Sequence, residues 1–464
     1  MNKIFFKKLE NGEFYRRMFW LTLPIIIQNL IVQMLNMTDT LIVGRLGEKE
    51  LAAVGIANQY FFFFSLMLFG INAGTSMFIS QFWGKRDKLS IKKMTGIGLV
   101  LSIITSIVFT LIALMIPEAI ISIFNTNKEV VNLGSKYLTI VALSYIFTGI
   151  SLAFSFASRS IENTFLPMMT SIIAFFVNLI LNYILVFGKF GFNPMGVEGS
   201  AWATVIARGI EMTIMVIYIY LKKIDVSVNI KNIAHLDISF LKMASFGIMP
   251  ILINEIVWGL GNATYNIIYA RIGVGAAATI QITTTVINLF MIVIFALGNS
   301  AMIMVGKEIG KGDIDMGKIY AKRIYKLAVK IGALVGIIIF LISSKVVLFF
   351  NMSEEVLKAS EIILKISALI LVFRTYNFMM IVGILRGGGD AKFGLILQGI
   401  LMWFLGIPLL YFAAFVLKLP IYYVVAFCAF EEIIKLIFVS YRFKSGKWIK
   451  DITGNISEKE CKLA

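Results

Sequence analysis

The sequence predicts an all-α integral membrane protein with twelve transmembrane helices in two pseudo-symmetric six-helix lobes. Three observations predict this fold: an apolar composition, twelve long apolar segments, and residues that recur at a fixed offset between the two halves. Of the 464 residues, 59% are apolar and 15% are charged, with a mean hydropathy of +0.88. Soluble domains are about 45–50% apolar and about 25% charged. A chain of this composition therefore needs a bilayer to accommodate its apolar surface.

The apolar segments are long enough to cross a membrane, which takes about 20 mostly apolar residues per helix. The first segment is too long for a signal peptide and no small-residue cleavage site follows it, so we expect it to be retained. The twelve segments lie at 18–43, 51–82, 94–124, 134–158, 165–187, 197–221, 241–270, 276–305, 320–350, 362–385, 393–417 and 420–441.

The distribution of basic residues between the connectors predicts the orientation. The two termini and the even-numbered connectors, with the charged span ends beside them, carry 30 Lys and Arg residues, whereas the odd-numbered connectors carry nine. The positive-inside rule places both termini in the cytoplasm, and we expect the cell inner (plasma) membrane. The net charge of +17 is then explained by the basic residues on the cytoplasmic side, and we expect no nucleic-acid partner.

The two halves of the chain repeat each other. Pro24 recurs as Pro250, and the motif Gly84-Lys85-x-Asp87 recurs as Gly310-Lys311-x-Asp313, both at an offset of 226. Two further motifs, which begin at Asn36 and Arg45, recur at the same offset, and basic residues at 159 and 208 recur at an offset of 227. Each half contains six spans and so has the same orientation, as in transporters with a central, alternately exposed site. We expect an N-lobe at 1–221, a cytoplasmic linker at 222–242 and a C-lobe with a short tail at 243–464.

Two carboxylates within the predicted spans are the main candidates for function, because a charge at bilayer depth costs about 2.5–3.5 kcal/mol. Asp39 lies in the first span and Glu255 in the seventh. At the offset of 226, Asp39 aligns with Tyr265 and Glu255 aligns with Asn29. Each half thus keeps one carboxylate where the other half is neutral, as a lobe-specific ion site would require.

Neutral polar and aromatic residues in the spans complete the candidate sites. For cation or proton binding beside Glu255 and Asp39, the candidates are Asn178, Asn182, Tyr376 and Asn377. For a substrate cavity, the candidates are Asn29, Asn36, Trp258, Asn262 and Tyr265.

Each of these features also has a purely structural interpretation. Asparagine and glutamine side chains often only hold transmembrane helices together, and a buried acid can belong to a structural ion pair. Arg208 and Glu211 have the i, i+3 spacing of a local pair. Glu431, Glu432 and Lys435 have the pattern of a compensated cluster, and aromatic residues such as Trp258 also serve in packing.

Several short motifs in this chain resemble the multidrug and toxic compound extrusion (MATE) family. Asp39-Thr40-x4-Arg45-x-Gly47 is similar to the first helix and loop of that family. Pro250-x3-Asn254-Glu255-x2-Trp258 resembles the seventh helix of one bacterial group, and Leu385-Arg386-Gly387-Gly388-Gly389-Asp390 resembles the loop between helices ten and eleven. The resemblance covers essentially the whole chain.

The resemblance implies two six-helix lobes and export of organic, often cationic compounds in exchange for Na⁺ or H⁺, with no other cofactor. It implies that Asp39 belongs to an N-lobe site and Glu255 to a C-lobe cation site. Asn182 stands where proton-using members commonly have an acid, and Tyr376 and Asn377 stand where Na⁺-using members have a second one. The coupling ion is therefore left open. We expect a monomer whose partners are the bilayer and small organic cations.

Other functions fit the sequence less well. The nearest is a lipid-linked oligosaccharide flippase of the same superfamily, which would use a central cavity rich in Arg or Lys. A membrane-embedded enzyme would need paired acids, a metal set or an activated nucleophile, and the single His235 and two Cys residues form no such group. A passive channel is disfavoured by a duplicated design with one carboxylate in each lobe.

Overall fold

The structure is a computed structural model that describes residues 2–229 and 237–454, with side chains from residue 12 onward. His235, Cys461 and the central part of the predicted linker lie outside the described residues. The α-helices are α1 Asn2–Gly44, α2 Glu48–Lys85, α3 Lys88–Met115, α4 Pro117–Ser122, α5 Lys128–Val141, α6 Ser144–Ser160, α7 Phe165–Phe187, α8 Gly196–Leu221, α9 Ile238–Ile272, α10 Val274–Gly310, α11 Ile314–Val346, α12 Glu354–Phe378, α13 Ala391–Leu401, α14 Ile407–Tyr411, α15 Ile421–Ala426 and α16 Cys428–Lys444.

Twelve helical segments correspond to the twelve predicted spans. Within the described chain, nine helices are long and apolar enough to cross a membrane, one of them the continuous helix Ala391–Val416 that includes α13 and α14. The number is ten when the bent pair of α5 and α6 counts as one span. The other two segments are α12, which continues as a π-helix over Met379–Leu385, and the pair of α15 and α16. Both carry charged residues within the predicted span, such as Arg374 and Lys435.

Two compact units make up the structure. The N-unit consists of Leu23–Ile79 and Arg86–Leu252, and the C-unit contains Ser80–Lys85 with the chain before Leu23 and after Leu252. The first turns of α1 thus belong to the C-unit, and the first turns of α9 belong to the N-unit. These units differ in this respect from the predicted lobes, whose boundary stays a prediction.

Side-chain contacts explain why these segments belong where they do. In the C-unit, the ring of Phe14 lies 5.1 Å from the ring of Tyr320, and Arg17 pairs with Glu308 at 3.3 Å. In the N-unit, Gly70 of α2 lets the backbone of α9 approach, because a Cβ at Gly70 would lie 2.7 Å from the Cα of Leu252. Contacts within its own unit fix each of these segments.

The repeated Gly-Lys-x-Asp motif has the same structural role in both halves. Asp87 caps α3 by accepting a hydrogen bond from the Ser90 amide at 3.0 Å, and Asp313 caps α11 through the Met316 amide at 3.0 Å. Such caps satisfy amides that lack a partner within the helix. The motif therefore begins the third and ninth spans at matching positions.

Candidate functional site

Asp39 of α1 is buried among neutral hydrogen-bond donors in the N-unit. Its side chain is 6% exposed. The Asn182 amide of α7 donates to Asp39 Oδ1 at 2.7 Å, and the Thr204 hydroxyl of α8 donates to Oδ2 at 3.4 Å. Asn182 also donates to Asn178 Oδ1 at 3.0 Å. Three predicted site residues therefore come together, and Thr204 joins them.

Asp39 differs from the other buried acids in its charge balance. Among the residues that the structure describes, it forms no salt bridge, and Arg208 nearby is bound to Glu211 at 2.8 Å. The other buried acids all have basic partners: Glu211 with Arg208, Glu255 with Arg386, Glu308 with Arg17 and Lys311, Asp390 with Arg442 and Lys450, and Glu431 with Lys435. A buried charge without a partner is costly. A bound cation or a proton would relieve that cost at Asp39.

A second polar network lies in the N-unit around Gln28. The Arg159 guanidinium donates to Gln28 Oε1, and the Gln28 amide donates to the Ser171 hydroxyl at 3.0 Å. Ser171 in turn donates to Glu211 Oε1 at 2.7 Å, and Glu211 accepts from Arg208. The network thus links two arginines through one carboxylate, which confirms the predicted local pair of Arg208 and Glu211.

Glu255 of α9 has a buried cationic partner in the C-unit. Arg386 Nη2 donates to Glu255 Oε1 at 2.6 Å, and both side chains are largely buried. The repeat of Arg159 as Arg386 was the sequence signal for this partner, but sequence reasoning did not connect it to Glu255. The role of Glu255 as a cation ligand stays a prediction, and its charge is already balanced in this structure.

The hydrogen bonds of Arg159 and Arg386 show which residues of the N-unit and the C-unit have equivalent positions. Arg159 donates to Gln28 and Arg386 donates to Glu255, and in both cases 131 residues separate donor and acceptor. The position of Glu255 in the C-unit therefore corresponds to that of Gln28 in the N-unit, one residue before the Asn29 that the sequence offset selects. At either residue the N-unit is neutral where the C-unit is charged.

A compensated acidic cluster lies around Lys435 in the C-unit, as predicted. Lys435 Nζ lies 3.0 Å from Glu431 Oε1 and 3.4 Å from Glu432 Oε1. The Tyr265 hydroxyl donates to Glu431 Oε2 at 2.7 Å. Gly406 leaves room for this contact, because a Cβ there would lie 2.1 Å from the Tyr265 hydroxyl.

The repeat conserves a carboxylate–hydroxyl contact but exchanges the two groups. In the N-unit the acid Asp39 accepts from Thr204, whereas in the C-unit the equivalent of Asp39 is Tyr265, which donates to Glu431. Thr204 and Glu431 differ by 227 in number, the offset of this part of the repeat. The C-unit acid has Lys435 beside it, and the N-unit acid has neutral neighbours.

The remaining predicted residues have other contacts. The Tyr376 hydroxyl is hydrogen-bonded to the Ser440 hydroxyl at 2.7 Å, and the Asn377 amide donates to Glu432 at 2.7 Å. These hydrogen bonds do not involve Glu255. The Asn262 amide donates to the Trp258 carbonyl of its own helix at 2.8 Å. In the N-unit, Asn29 is partly buried and Asn36 is exposed.

The comparisons with known proteins agree with the repeat. The MatE family model matches residues 24–184 and 250–412, which together make up more than half of the chain. The two matches begin 226 residues apart, the offset found within the sequence.

Curated relatives and solved structures match over nearly their full length. A probable multidrug resistance protein NorM of Thermotoga maritima is 25% identical over 453 residues, covering 97% of this chain and 96% of the relative. The uncharacterized transporter YisQ of Bacillus subtilis is 24% identical, covering 93% and 95%.

Among solved structures, a mutant of the Vibrio cholerae MATE transporter VcmN has a TM-score of 0.86 at 17% identity, covering 95% of this chain and 98% of that chain. A MOP superfamily transporter from Pyrococcus furiosus has a TM-score of 0.82 at 20% identity, covering 93% and 96%. These likenesses show the twelve-helix fold. The family match and the fold lead to one identification: the chain belongs to the MatE family of integral membrane transporters, the multidrug and toxic compound extrusion (MATE) proteins.

Proposed function

We propose that this transporter is a cation-coupled antiporter that exports organic, cationic or amphipathic drugs or metabolites in exchange for Na⁺ or H⁺ by alternating access. The observation that carries the proposal is the state of Asp39. This carboxylate is buried, is held by Asn182 and Thr204, and forms no salt bridge with any described residue. It is therefore a group that needs a mobile positive charge.

Coupling follows from competition for one carboxylate. A cation or proton on Asp39 neutralises the charge that would attract a cationic substrate, and the bound substrate does the same for the cation. The two ligands therefore exclude each other. One charge that moves through 100 mV is worth about 2.3 kcal/mol, enough to bias the exchange.

The predicted cavity residues suit a cationic substrate. Trp258 and Tyr265 carry aromatic rings that attract cations, and Asn29, Asn36 and Asn262 supply neutral polar contacts. In this proposal Glu255 is a second carboxylate that binds the coupling cation, and it does so only when its ion pair with Arg386 is broken. The relatives that match include several probable multidrug resistance proteins, so the comparisons do not favour the flippase alternative.

The proposed setting is the cell inner membrane, with a monomer in the bilayer and both termini in the cytoplasm. The basic residues of the even-numbered connectors support this orientation. No cofactor other than the coupling ion enters the proposal.

Transport of ethidium in proteoliposomes tests the proposal. An imposed Na⁺ or H⁺ gradient should drive ethidium movement in the wild-type protein, and the effective gradient identifies the ion. Asp39→Asn should abolish gradient-driven movement, because the amide holds no exchangeable charge. Full gradient-driven activity in Asp39→Asn would contradict the proposal.

A further inference from the structure

Helix α11 is longer than a bilayer requires. Its 33 residues, Ile314–Val346, span about 50 Å at 1.5 Å per residue. The hydrocarbon core is only about 30 Å thick. The residues between Lys330 and Lys345 carry no charge, so the apolar part of the helix begins after Lys330. The turns before Lys330 therefore extend through the lipid headgroup layer into water.

A row of lysines winds gradually around these first turns. Lys318, Lys322, Lys326 and Lys330 recur every four residues, and all four are exposed. Residues four apart in a helix are neighbours on its surface. The row is therefore continuous and rises about 18 Å along the helix axis.

The helix surface that continues the row beyond Lys330 is apolar. The next two positions at this spacing are Leu334 and Ile338, which are 57% and 37% exposed. A surface that changes from a row of ammonium groups to exposed aliphatic side chains within one turn matches the boundary between headgroups and acyl chains. Lysines at such a boundary keep their charge among the headgroups while their stems contact the chains.

The fold itself does not require this row. The equivalent positions in α3, at the offset of 226, are Lys92, Gly96, Val100 and Ile104. The N-unit therefore has a single lysine at the four positions that correspond to the row. Since α3 and α11 begin with the same cap, the additional lysines of α11 have a purpose other than helix formation.

Among the residues that the structure describes, little negative charge balances the row. Lys318 lies 3.6 Å from Asp315, and both groups are largely exposed. Lys322, Lys326 and Lys330 form no ion pair with any residue that the structure describes. The row thus presents at least three ammonium groups to the headgroup layer and to the water next to it.

We infer that this row of lysines is a binding surface for the phosphate groups of anionic phospholipids such as phosphatidylglycerol. The charge complementarity, the depth of the row and its continuity with the exposed aliphatic surface all fit a lipid with a negative headgroup. A soluble anion would match the charge but would leave the adjacent aliphatic side chains without a partner. The inference is independent of which ion drives transport.

The test measures binding of phosphatidylglycerol with a fluorescent acyl chain to the purified full-length protein in neutral detergent, by anisotropy. Each lysine near an anionic headgroup contributes about fivefold in affinity. The triple variant Lys322→Gln, Lys326→Gln and Lys330→Gln should therefore bind this lipid on the order of a hundredfold more weakly. Labelled phosphatidylcholine should bind both proteins equally.

A charge-matched control separates a local surface from overall charge. Lys128→Gln, Lys189→Gln and Lys418→Gln remove three exposed lysines elsewhere and should leave the affinity for phosphatidylglycerol unchanged. Equal losses in the two triple variants, or no loss in either, would overturn the inference. Displacement of the lipid by inorganic phosphate would instead indicate a site for a soluble anion and would also overturn it.

Two further variants keep the inference testable if the triple Lys→Gln variant at 322, 326 and 330 does not fold. The triple Lys→Arg variant at 322, 326 and 330 keeps the charge and should retain lipid binding. Lys326→Gln alone should weaken binding about fivefold. Loss of binding in the arginine variant, or full binding in Lys326→Gln, would contradict a phosphate-binding row.

Discussion

At the scale of single residues, Glu255 and Asp39 differ in what balances their charge. Glu255 accepts from the Arg386 guanidinium at 2.6 Å, whereas Asp39 accepts from the neutral side chains of Asn182 and Thr204. A paired carboxylate contributes to stability through its partner, and an unpaired one is held at a cost to stability. The two acids should therefore respond differently to removal of their charge.

Glu255→Gln should destabilise the protein by about 3 kcal/mol, because Arg386 would remain buried without a counter-charge. The N-unit shows that a glutamine can accept from the equivalent arginine, Arg159, but there Gln28 connects onward through Ser171 to Glu211. Unfolding of purified protein by denaturant measures the loss.

The matched control for this prediction is the double variant Glu255→Gln with Arg386→Gln, which should recover most of the stability. A Glu255→Gln protein as stable as wild type would show that the pair carries no structural role and would favour Glu255 as an ion ligand.

At the scale of elements, helices α2 and α10 cross at two glycines that are equivalent in the repeat. A Cβ at Gly84 would lie 2.1 Å from the Lys307 carbonyl oxygen, and a Cβ at Gly310 would lie 2.0 Å from the Gln81 carbonyl oxygen. Neither backbone can move without separating the helices. The sequence offset identifies the pair, but only the packing shows that the two glycines meet.

Gly310→Ala should therefore destabilise the C-unit by about 2–3 kcal/mol, comparable with overpacking of a core. Gly55→Ala is the control, because Gly55 lies in α2 and a Cβ there would have no atom within 4 Å. That substitution should be neutral or stabilise by up to about 1 kcal/mol through helix propensity. Equal thermal stability of the two variants would show that the crossing tolerates a methyl group.

The segment after α16 closes over the glycine loop at 387–389. Trp448 is 1% exposed, and a Cβ at Gly388 would lie 2.4 Å from its ring. Gln81 donates to the carbonyls of Gly387 and Lys450 and accepts from the Ile452 amide. These contacts bind the end of α2 and the C-terminal segment to one loop.

Trp448→Ala should cost about 3–5 kcal/mol, the usual loss for a large buried aromatic side chain. Trp448→Phe should recover part of it, since the ring of Phe443 already stacks on this residue at 5.7 Å. Thermal unfolding in detergent measures both values. Wild-type stability in Trp448→Ala would mean that the segment is only loosely attached.

At the scale of the whole molecule, the repeat explains what the sequence could predict. The offset of 226 located matching helices, caps and prolines, because features that begin or bend a helix depend on local sequence. The spacing of Asn178 and Asn182, one turn apart on an apolar helix, predicted that the two share a face, and the resemblance assigned Asp39 and the position of Asn182 to one N-lobe site.

The residues that sequence reasoning missed depend on how helices rotate against each other. Thr204 is one of several hydroxyl residues in α8 and has no spacing that marks it, and Gln28 precedes the residue that the offset selects by one position. Tyr376 and Asn377 were grouped with Glu255 by resemblance, but they contact Ser440 and Glu432 instead. No local pattern fixes such pairings, because a rotation of one residue about the helix axis changes the partner.

The central claim is that Asp39 is the carboxylate shared by the coupling cation and the substrate. Binding of tetraphenylphosphonium to purified protein tests it most directly, because this probe keeps its positive charge at every pH. In the wild-type protein its dissociation constant should rise as the concentration of Na⁺ or H⁺ rises, and in Asp39→Asn that dependence should vanish. The same competition in Asp39→Asn as in the wild type would contradict the claim.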